Sequence, residues 1–297
     1  MPDAPQDRIP AGEAPARMPK VPTTRAPLGA CDAHVHMLSG PEHALSGTHA
    51  ESPAEIGGYE EWLTLFRLHL DTLGCTRAVI VQSILYGTDN TVTLETVERL
   101  GDMARGIVLV TGDVSDGTLD DLARRGAKGI RINYVHGGVL DWPGAKALAP
   151  RLAARGMHVQ MLLHADRHME EVAEDARALP CPLVIDHAGW PSDLGPGPRS
   201  PGFAALCDAL KDGNVWAKLS APYRLSPDWD DTDPFVRALV AANPERCLWG
   251  SDWPHIMLGG ATMPDAGRLL DRFMEQVPDP GDRQRILVDN PARLYGF

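Results

Sequence analysis

GIRINYV at residues 129–135 and HVQMLLHAD at residues 158–166 are two apolar runs separated by GAKALAPRLAARG, residues 144–156. The outer runs are apolar on successive residues, as in strands covered on both faces. The middle segment carries apolar residues at i, i+3 and i+4 spacing and ends at Gly156, the period and the stop of a helix. Strand, helix and strand in this order form the unit of a parallel sheet wrapped by helices.

The unit repeats along the chain. Further apolar runs are ACDAHVHM (30–37), RAVIVQS (77–83), GIVLVTGDV (106–114), PLVIDHAG (182–189), VWAKLSA (215–221) and CLWGSDW (247–253), which makes eight. Helical periods fall between them at 58–74, 90–104, 118–127, 168–180, 201–213 and 233–245. Eight such units closing on themselves predict an α/β fold, a (β/α)8 TIM barrel forming a single domain over residues 29–297. Residues 1–28 are rich in Pro and Ala and lack an apolar period, so they read as an N-terminal arm, either draped over the body or a disordered lead-in.

Composition narrows the partners. With 28 Lys and Arg against 40 Asp and Glu the formal charge is -12, which repels phosphate backbones and acidic membrane surfaces, so neither nucleic acid nor membrane is expected. The five cysteines are scattered without a C-x-x-C pair and read as buried thiols in a reducing compartment. No apolar run approaches the roughly 20 residues of a membrane span, and the first residues lack a signal-peptide core, so a cytoplasmic location is expected. Oligomeric state, monomer or homo-oligomer, is left open.

Barrel enzymes place their sites at the carboxyl ends of the strands, and the unusual residues fall there. Strand one ends in His34 and His36, strand four holds Arg131, strand five ends at His164, strand six at His187 and strand eight at Asp252. Residues two apart on a strand point the same way, so His34 and His36 share a face. Imidazoles and a carboxylate at one mouth suit Zn²⁺ or Mn²⁺, with one position left for water. His43, His49, His69, His158 and His168 read as ordinary surface or core histidines. His164 reads as a ligand, with a strand end running into a helix cap as the competing reading. Arg131, inside an apolar strand, must meet a partner, best a carboxylate. Arg224, just past strand seven, reads equally as a solvated charge or a substrate ligand. In GSDWPH (250–255), Asp252 is presented at a strand end as a general base or a ligand, with Trp253 and Pro254 as walls. Irregular stretches at 43–58, 190–202 and 254–267 leave the same ends.

At these residues the chain resembles the amidohydrolase superfamily, in particular the branch of 2-pyrone-4,6-dicarboxylate lactonases and related sugar-lactone and muconolactone hydrolases. CDAHVHM (31–37), VQSILYGTDN (81–90), KGIRINYVHGG (128–138), VIDHAGWPSD (184–193), KLSAPYRLS (218–226), LWGSDWPHI (248–256) and LVDNPARLYGF (287–297) look like that branch's motifs, in order. The resemblance implies hydrolysis of a ring ester in a small lactone. Asp252 would deprotonate the attacking water, while His34, His36 and His187 polarise the carbonyl or position the water, with or without a metal. Ser83, Arg131 and Arg224 match positions that hold substrate carboxylates or hydroxyls.

Departures from the branch matter too. Where the pyrone-dicarboxylate enzymes carry further arginines, this chain has His136, Gly137 and Gly138 after strand four and Trp190 after His187. Fewer guanidinium clamps favour a less anionic lactone. His164 restores a strand-five histidine that metal-using superfamily members have, which makes His34, His36, His164 and Asp252 the expected ligands of one divalent ion, zinc first and manganese second, and frees His187 as acid or base. A metal-free lactonase is the alternative on cofactor. A metal-dependent decarboxylase of the same superfamily is the alternative on reaction, and a merely binding barrel the remaining one.

Overall fold

The computed structural model describes residues 9–47 and 49–297. Its eight strands are β1 (Cys31–Val35), β2 (Arg77–Val81), β3 (Ala104–Val108), β4 (Ala127–Asn133), β5 (His158–Leu162), β6 (Leu183–Ile185), β7 (Val215–Ser220) and β8 (Cys247–Gly250). They pair in parallel in chain order, β1 through β8. Just beyond β8 the ring closes onto β1: the Asp252 N–H donates to the His34 carbonyl at 2.8 Å, and the His36 N–H donates to the Trp253 carbonyl at 2.7 Å. The expected (β/α)8 barrel is the fold observed.

Around the sheet lie α1 (Tyr59–Leu73), α2 (Thr91–Leu100), α3 (Asp116–Arg124), α4 (Trp142–Ala153), α5 (Ala165–Ala178), α6 (Pro201–Lys211), the one-turn α7 (Pro222–Leu225), α8 (Asp233–Ala242) and α9 (Ala266–Gln276), followed by α10 (Pro280–Gln284) and α11 (Asn290–Tyr295). Each long helix turns its apolar stripe to the sheet; α1 buries Trp62, Leu63, Phe66, Leu70 and Leu73. Helix α4 starts two residues before the expected 144, because the Asp141 carboxylate accepts the Gly144 N–H at 2.8 Å and caps it. Strand β5 stops at Leu162, short of the expected run to 166, and His164 becomes the N-cap residue of α5. Helix α9, outside the expected set, buries Leu269, Leu270, Phe273 and Met274 and completes the wrap.

Strand alternation sorts the core into two shells. In β2, Ala78 and Ile80 face the helices while Val79 and Val81 face the interior. Tyr295 of α11 joins the interior shell with Cys31, Ile107, Val184 and Leu248. On β1 the register shifts between Asp32 and Val35. That irregularity lets Asp32 face outward, where His69 of α1 meets its carboxylate at 3.0 Å, although His34 and His36 face in.

The described part of the arm runs along the barrel. Gly12 N–H donates to Ser52 O at 2.9 Å, Thr23 N–H to the Asp271 carboxylate at 2.7 Å and Ala26 N–H to Leu73 O at 3.1 Å. Residues 1–8 lie outside the described residues. Among the described residues no helix is long and apolar enough to cross a membrane, and the five cysteines are free thiols.

Candidate active site

The inward positions toward the carboxyl ends are polar on six of the eight strands: His34 and His36, Arg131, Gln160, Asp186, Lys218 and, just past β8, Asp252. His34, Asp186, Lys218 and Asp252 are each 0% exposed. A buried polar group must find a partner, so their contacts define the site.

Asp252 is the hub. Its Oδ2 accepts the Tyr223 hydroxyl at 2.6 Å and Arg224 Nε at 2.7 Å, both from α7. Its Oδ1 lies 3.4 Å from His36 Nε2 and 3.6 Å from His34 Nε2. His36 Nδ1 donates to the Val81 carbonyl at 2.8 Å, and because a carbonyl only accepts, the Nε2 of neutral His36 carries a lone pair. That lone pair therefore faces a carboxylate oxygen. Among the described residues, His34 Nε2 and Asp252 Oδ1 are buried without a hydrogen-bond partner. Two imidazole nitrogens and a carboxylate oxygen converging in this way have the donor types and spacing of a divalent-metal site, and a second group, His34, Asp186 and His187, adjoins it.

The backbone is strained at the same place. All seven non-glycine residues with positive φ among the described residues follow β6, β7 or β8, and they include His187 at 51° and Asp252 at 64°. Side chains rarely adopt this region, and such strain gathers at functional sites.

A family model for amidohydrolases matches residues 31–297. The chain belongs to the amidohydrolase family. Among curated relatives, a 2-pyrone-4,6-dicarboxylate hydrolase of Comamonas testosteroni is 35% identical over 292 residues, covering 93% of each chain. A 4-sulfomuconolactone hydrolase of Hydrogenophaga intermedia is 33% identical, covering 91% of this chain and 89% of the relative. An apo crystal structure of an Agrobacterium tumefaciens protein superposes with a TM-score of 0.82 at 28% identity, covering 93% of this chain and 98% of that one. The resemblance read from the motifs is thus borne out at the level of the branch, and the protein is a hydrolase of this family.

In this amidohydrolase the mouth opens on a cavity of about 120 Å³ lined by His36, Arg131, His187, Arg224 and Asp252 with Trp190 above. A groove of about 920 Å³ lies elsewhere, along α9 and Asp228–Asp230, but it holds none of the converging groups. His187 Nδ1 pairs with Ser220 Oγ at 2.9 Å, and its ring centroid is 4.8 Å from that of His34.

The other expected site residues are placed differently. His164 is in neither converging group: its Nδ1 donates to the Trp190 carbonyl at 2.7 Å, so it orients the loop after β6. Ser83 is buried and does not line the cavity; its Oγ accepts the Leu85 N–H at 3.3 Å and caps the turn at 84–86. Arg224 lines the cavity, yet its guanidinium donates to Asp252 and to the carbonyls of Ile256 and Met257 at 2.8 and 3.2 Å. Arg131 lies 3.8 Å from the Asp186 carboxylate through an Nε that makes no hydrogen bond, while Nη1 donates to Gln82 O at 3.3 Å.

A layer below the converging groups escaped the sequence reading. Lys218 Nζ donates to Gln160 Oε1 at 2.7 Å and sits 3.4 Å from His34 Nδ1, and Asp186 Oδ1 is 3.3 Å from the same nitrogen. Tyr223 bridges Asp252 and His255, whose Nδ1 is 3.2 Å from the hydroxyl. A lysine and an aspartate inside apolar strand runs were the available signals.

Burial and charge tune these groups. Burial opposes ionisation of Asp252, but the Arg224 guanidinium holds it well below the usual carboxylate range. Asp186 is likewise lowered, by His34 and Lys218 against the effect of burial. Burial pushes His187 down to about 4 and His34 well below its ordinary value, so both rings are neutral at pH 7. Burial also lowers Lys218 to about 8, against the pull of Asp186.

Proposed function

We propose that the protein opens the ring ester of a small lactone by attack of water, with Asp252 as the proton acceptor. The observation that carries this reading is the convergence of Asp252 Oδ1 with His34 Nε2 and His36 Nε2 beside a cavity that Arg131 and His187 also line. Hydrolase relatives that act, by their names, on a pyrone dicarboxylate and a sulfomuconolactone support the same ester chemistry.

Oδ1 accepts a proton from water while Tyr223 and Arg224 hold Oδ2, which fixes the carboxylate plane. The hydroxide adds to the lactone carbonyl, and the guanidinium of Arg131, which lines the cavity, would receive negative charge on that oxygen. The ring C–O bond then breaks and its oxygen takes the proton held by Asp252, so the net change is addition of one water to give a hydroxy acid. A carboxylate held far below its ordinary pKa is a weak base, which favours a partner that makes water more acidic. A divalent cation held by His34, His36 and Asp252, zinc before manganese, would supply that Lewis acidity. His164 is not needed as a ligand in this arrangement.

The test is an acid-release assay over a panel of small lactones, with wild type and Asp252→Asn compared. Ring opening of at least one lactone, lost in the variant, is expected. Release of CO₂ from a carboxylic acid, without ring opening, would replace the reading by the decarboxylase of the same superfamily, which the His34, His36 and Asp252 cluster also suits.

A further inference from the structure

Beside the mouth lies a second cavity of about 520 Å³, over four times the volume of the first, and Asn133 at the end of β4 lines both. The first, at about 120 Å³, has room for little more than a ring. A substituent that leaves the ring past Asn133 would reach the second.

The walls of that cavity are carbon-rich. Ile132, Leu140, Trp142 and Pro143 line it, with Ile132, Leu140 and Trp142 otherwise buried in the barrel's outer core. Its ionisable groups are acids, Asp141 and Glu171, and both are engaged: Asp141 caps α4, and Glu171 accepts the Tyr134 hydroxyl. Among the described residues no cation lines it. The nearby Lys146 is tied to Asp175 at 2.5 Å and lies against the Trp142 ring. A carboxylate entering there would meet two negative groups and no counter-charge. Gly137 and Gly138 border it, and a Cβ built on either meets nothing within 4 Å, so the space is open to a ligand.

We infer that this cavity is a subsite for an uncharged, carbon-rich substituent, alkyl or aryl, on the lactone ring, and that Gly138 determines specificity by leaving room for it. The inference rests on the lactone reading above and adds the substrate class. Burial of each methylene strengthens binding about fourfold when complete. In a cavity open on one side, four added methylenes should give at least about tenfold.

The probes are γ-valerolactone, γ-nonalactone and the same ring bearing an acetate side chain. Turnover is measured with wild type and Gly138→Trp, and binding by tryptophan fluorescence with Asp252→Asn. Expected is a kcat/KM for γ-nonalactone at least about tenfold above that for γ-valerolactone, mostly in KM, with the acetate-bearing ring poorest. Gly138→Trp should collapse the ratio between the first two, and Gly138→Arg should raise the acetate-bearing ring relative to both. Equal treatment of the two alkyl lactones, or preference for the acetate, overturns the inference. No turnover, but tighter binding of γ-nonalactone that Gly138→Trp removes, would retain the subsite and refute the reaction. Absence of both turnover and binding overturns both.

Discussion

The Asp252 N–H donates to the His34 carbonyl at 2.8 Å, so the hydrogen bond that closes the barrel also joins two of the three groups converging at the mouth. Their separation is set by this backbone bond at the barrel seam. Beneath it, the Ser251 N–H donates to the outward-facing Asp32 carboxylate at 2.8 Å, which ties the same seam to His69 of α1. A site built this way is preorganised.

Asp252→Asn keeps the shape of the hub and removes its basicity. Activity on a lactone should fall by about 10²- to 10⁴-fold, the usual contribution of a positioned base. The half-buried Arg224 then loses its counter-charge, the buried carboxylate, so the variant should also be about 3 kcal/mol less stable. Steady-state rates and denaturant titration read the two effects separately. A variant of unchanged rate would remove Asp252 from the chemistry.

Elemental analysis of protein purified without chelator should find about one divalent ion per chain, as sites of this donor set hold. His36→Leu should lower metal retention at least about tenfold, whereas His164→Leu should not, since its ligand atoms lie outside both clusters. Wild type with well under one ion and intact turnover would assign the reaction to Asp252 and the histidines alone.

Acid should destabilise the protein through its buried histidines. Burial lowers His187 to about 4 and His158 and His255 to about 3. Between these values and the ordinary 6.5 the unfolded chain binds protons that the folded one does not. Stability is therefore fully present above about pH 6.5 and is lost as pH falls toward 3, by up to about 1.4 kcal/mol per pH unit for each histidine. His158 begins β5 beside Tyr295 and does not line the cavity, so His158→Met should flatten the pH dependence of the melting temperature by one proton. An unaltered slope would mean that His158 is protonated in the folded state.

Much of the fold was legible because it is local: apolar runs and helical periods need only neighbours in sequence. His34, His36 and Asp252 were legible because barrels place strand ends together. Asp186 and Lys218 were on the page within strand runs, yet their pairing through Gln160 and His34 depends on which residues face inward at one level of a closed ring. His34 reaches that level through the register shift on β1, which the sequence does not mark. His164 stands apart from the cluster because β5 stops at Leu162, which leaves it at the N-cap position of α5 with its ring on the Trp190 carbonyl.

Lys218→Met tests that hidden layer. The ammonium balances Asp186 and satisfies Gln160 Oε1, so its loss leaves a buried carboxylate with His34, the Gln160 amide N–H at 3.2 Å and a distant Arg131. A cost of about 3 kcal/mol is expected. Asp186→Asn in the same chain should recover part of it, which a double-mutant cycle measures; additive losses would show that the two groups are uncoupled.

Gly250→Ala probes the seam without altering any polar group. A Cβ on Gly250 would stand 2.6 Å from His34 Cβ and 2.7 Å from its backbone nitrogen, closer than real contacts allow. Neither atom is the end of a flexible side chain, so β1 must move away from β8. A shift of this kind misaligns His34 against Asp252, and misplacement on the scale of an ångström costs about 10²-fold in rate. The expected outcome is a folded protein with strongly reduced kcat and weaker metal retention. Wild-type kcat in Gly250→Ala would mean that the seam yields without moving His34, and that the rigidity argued from the 2.8 Å closure bond is not what positions the site.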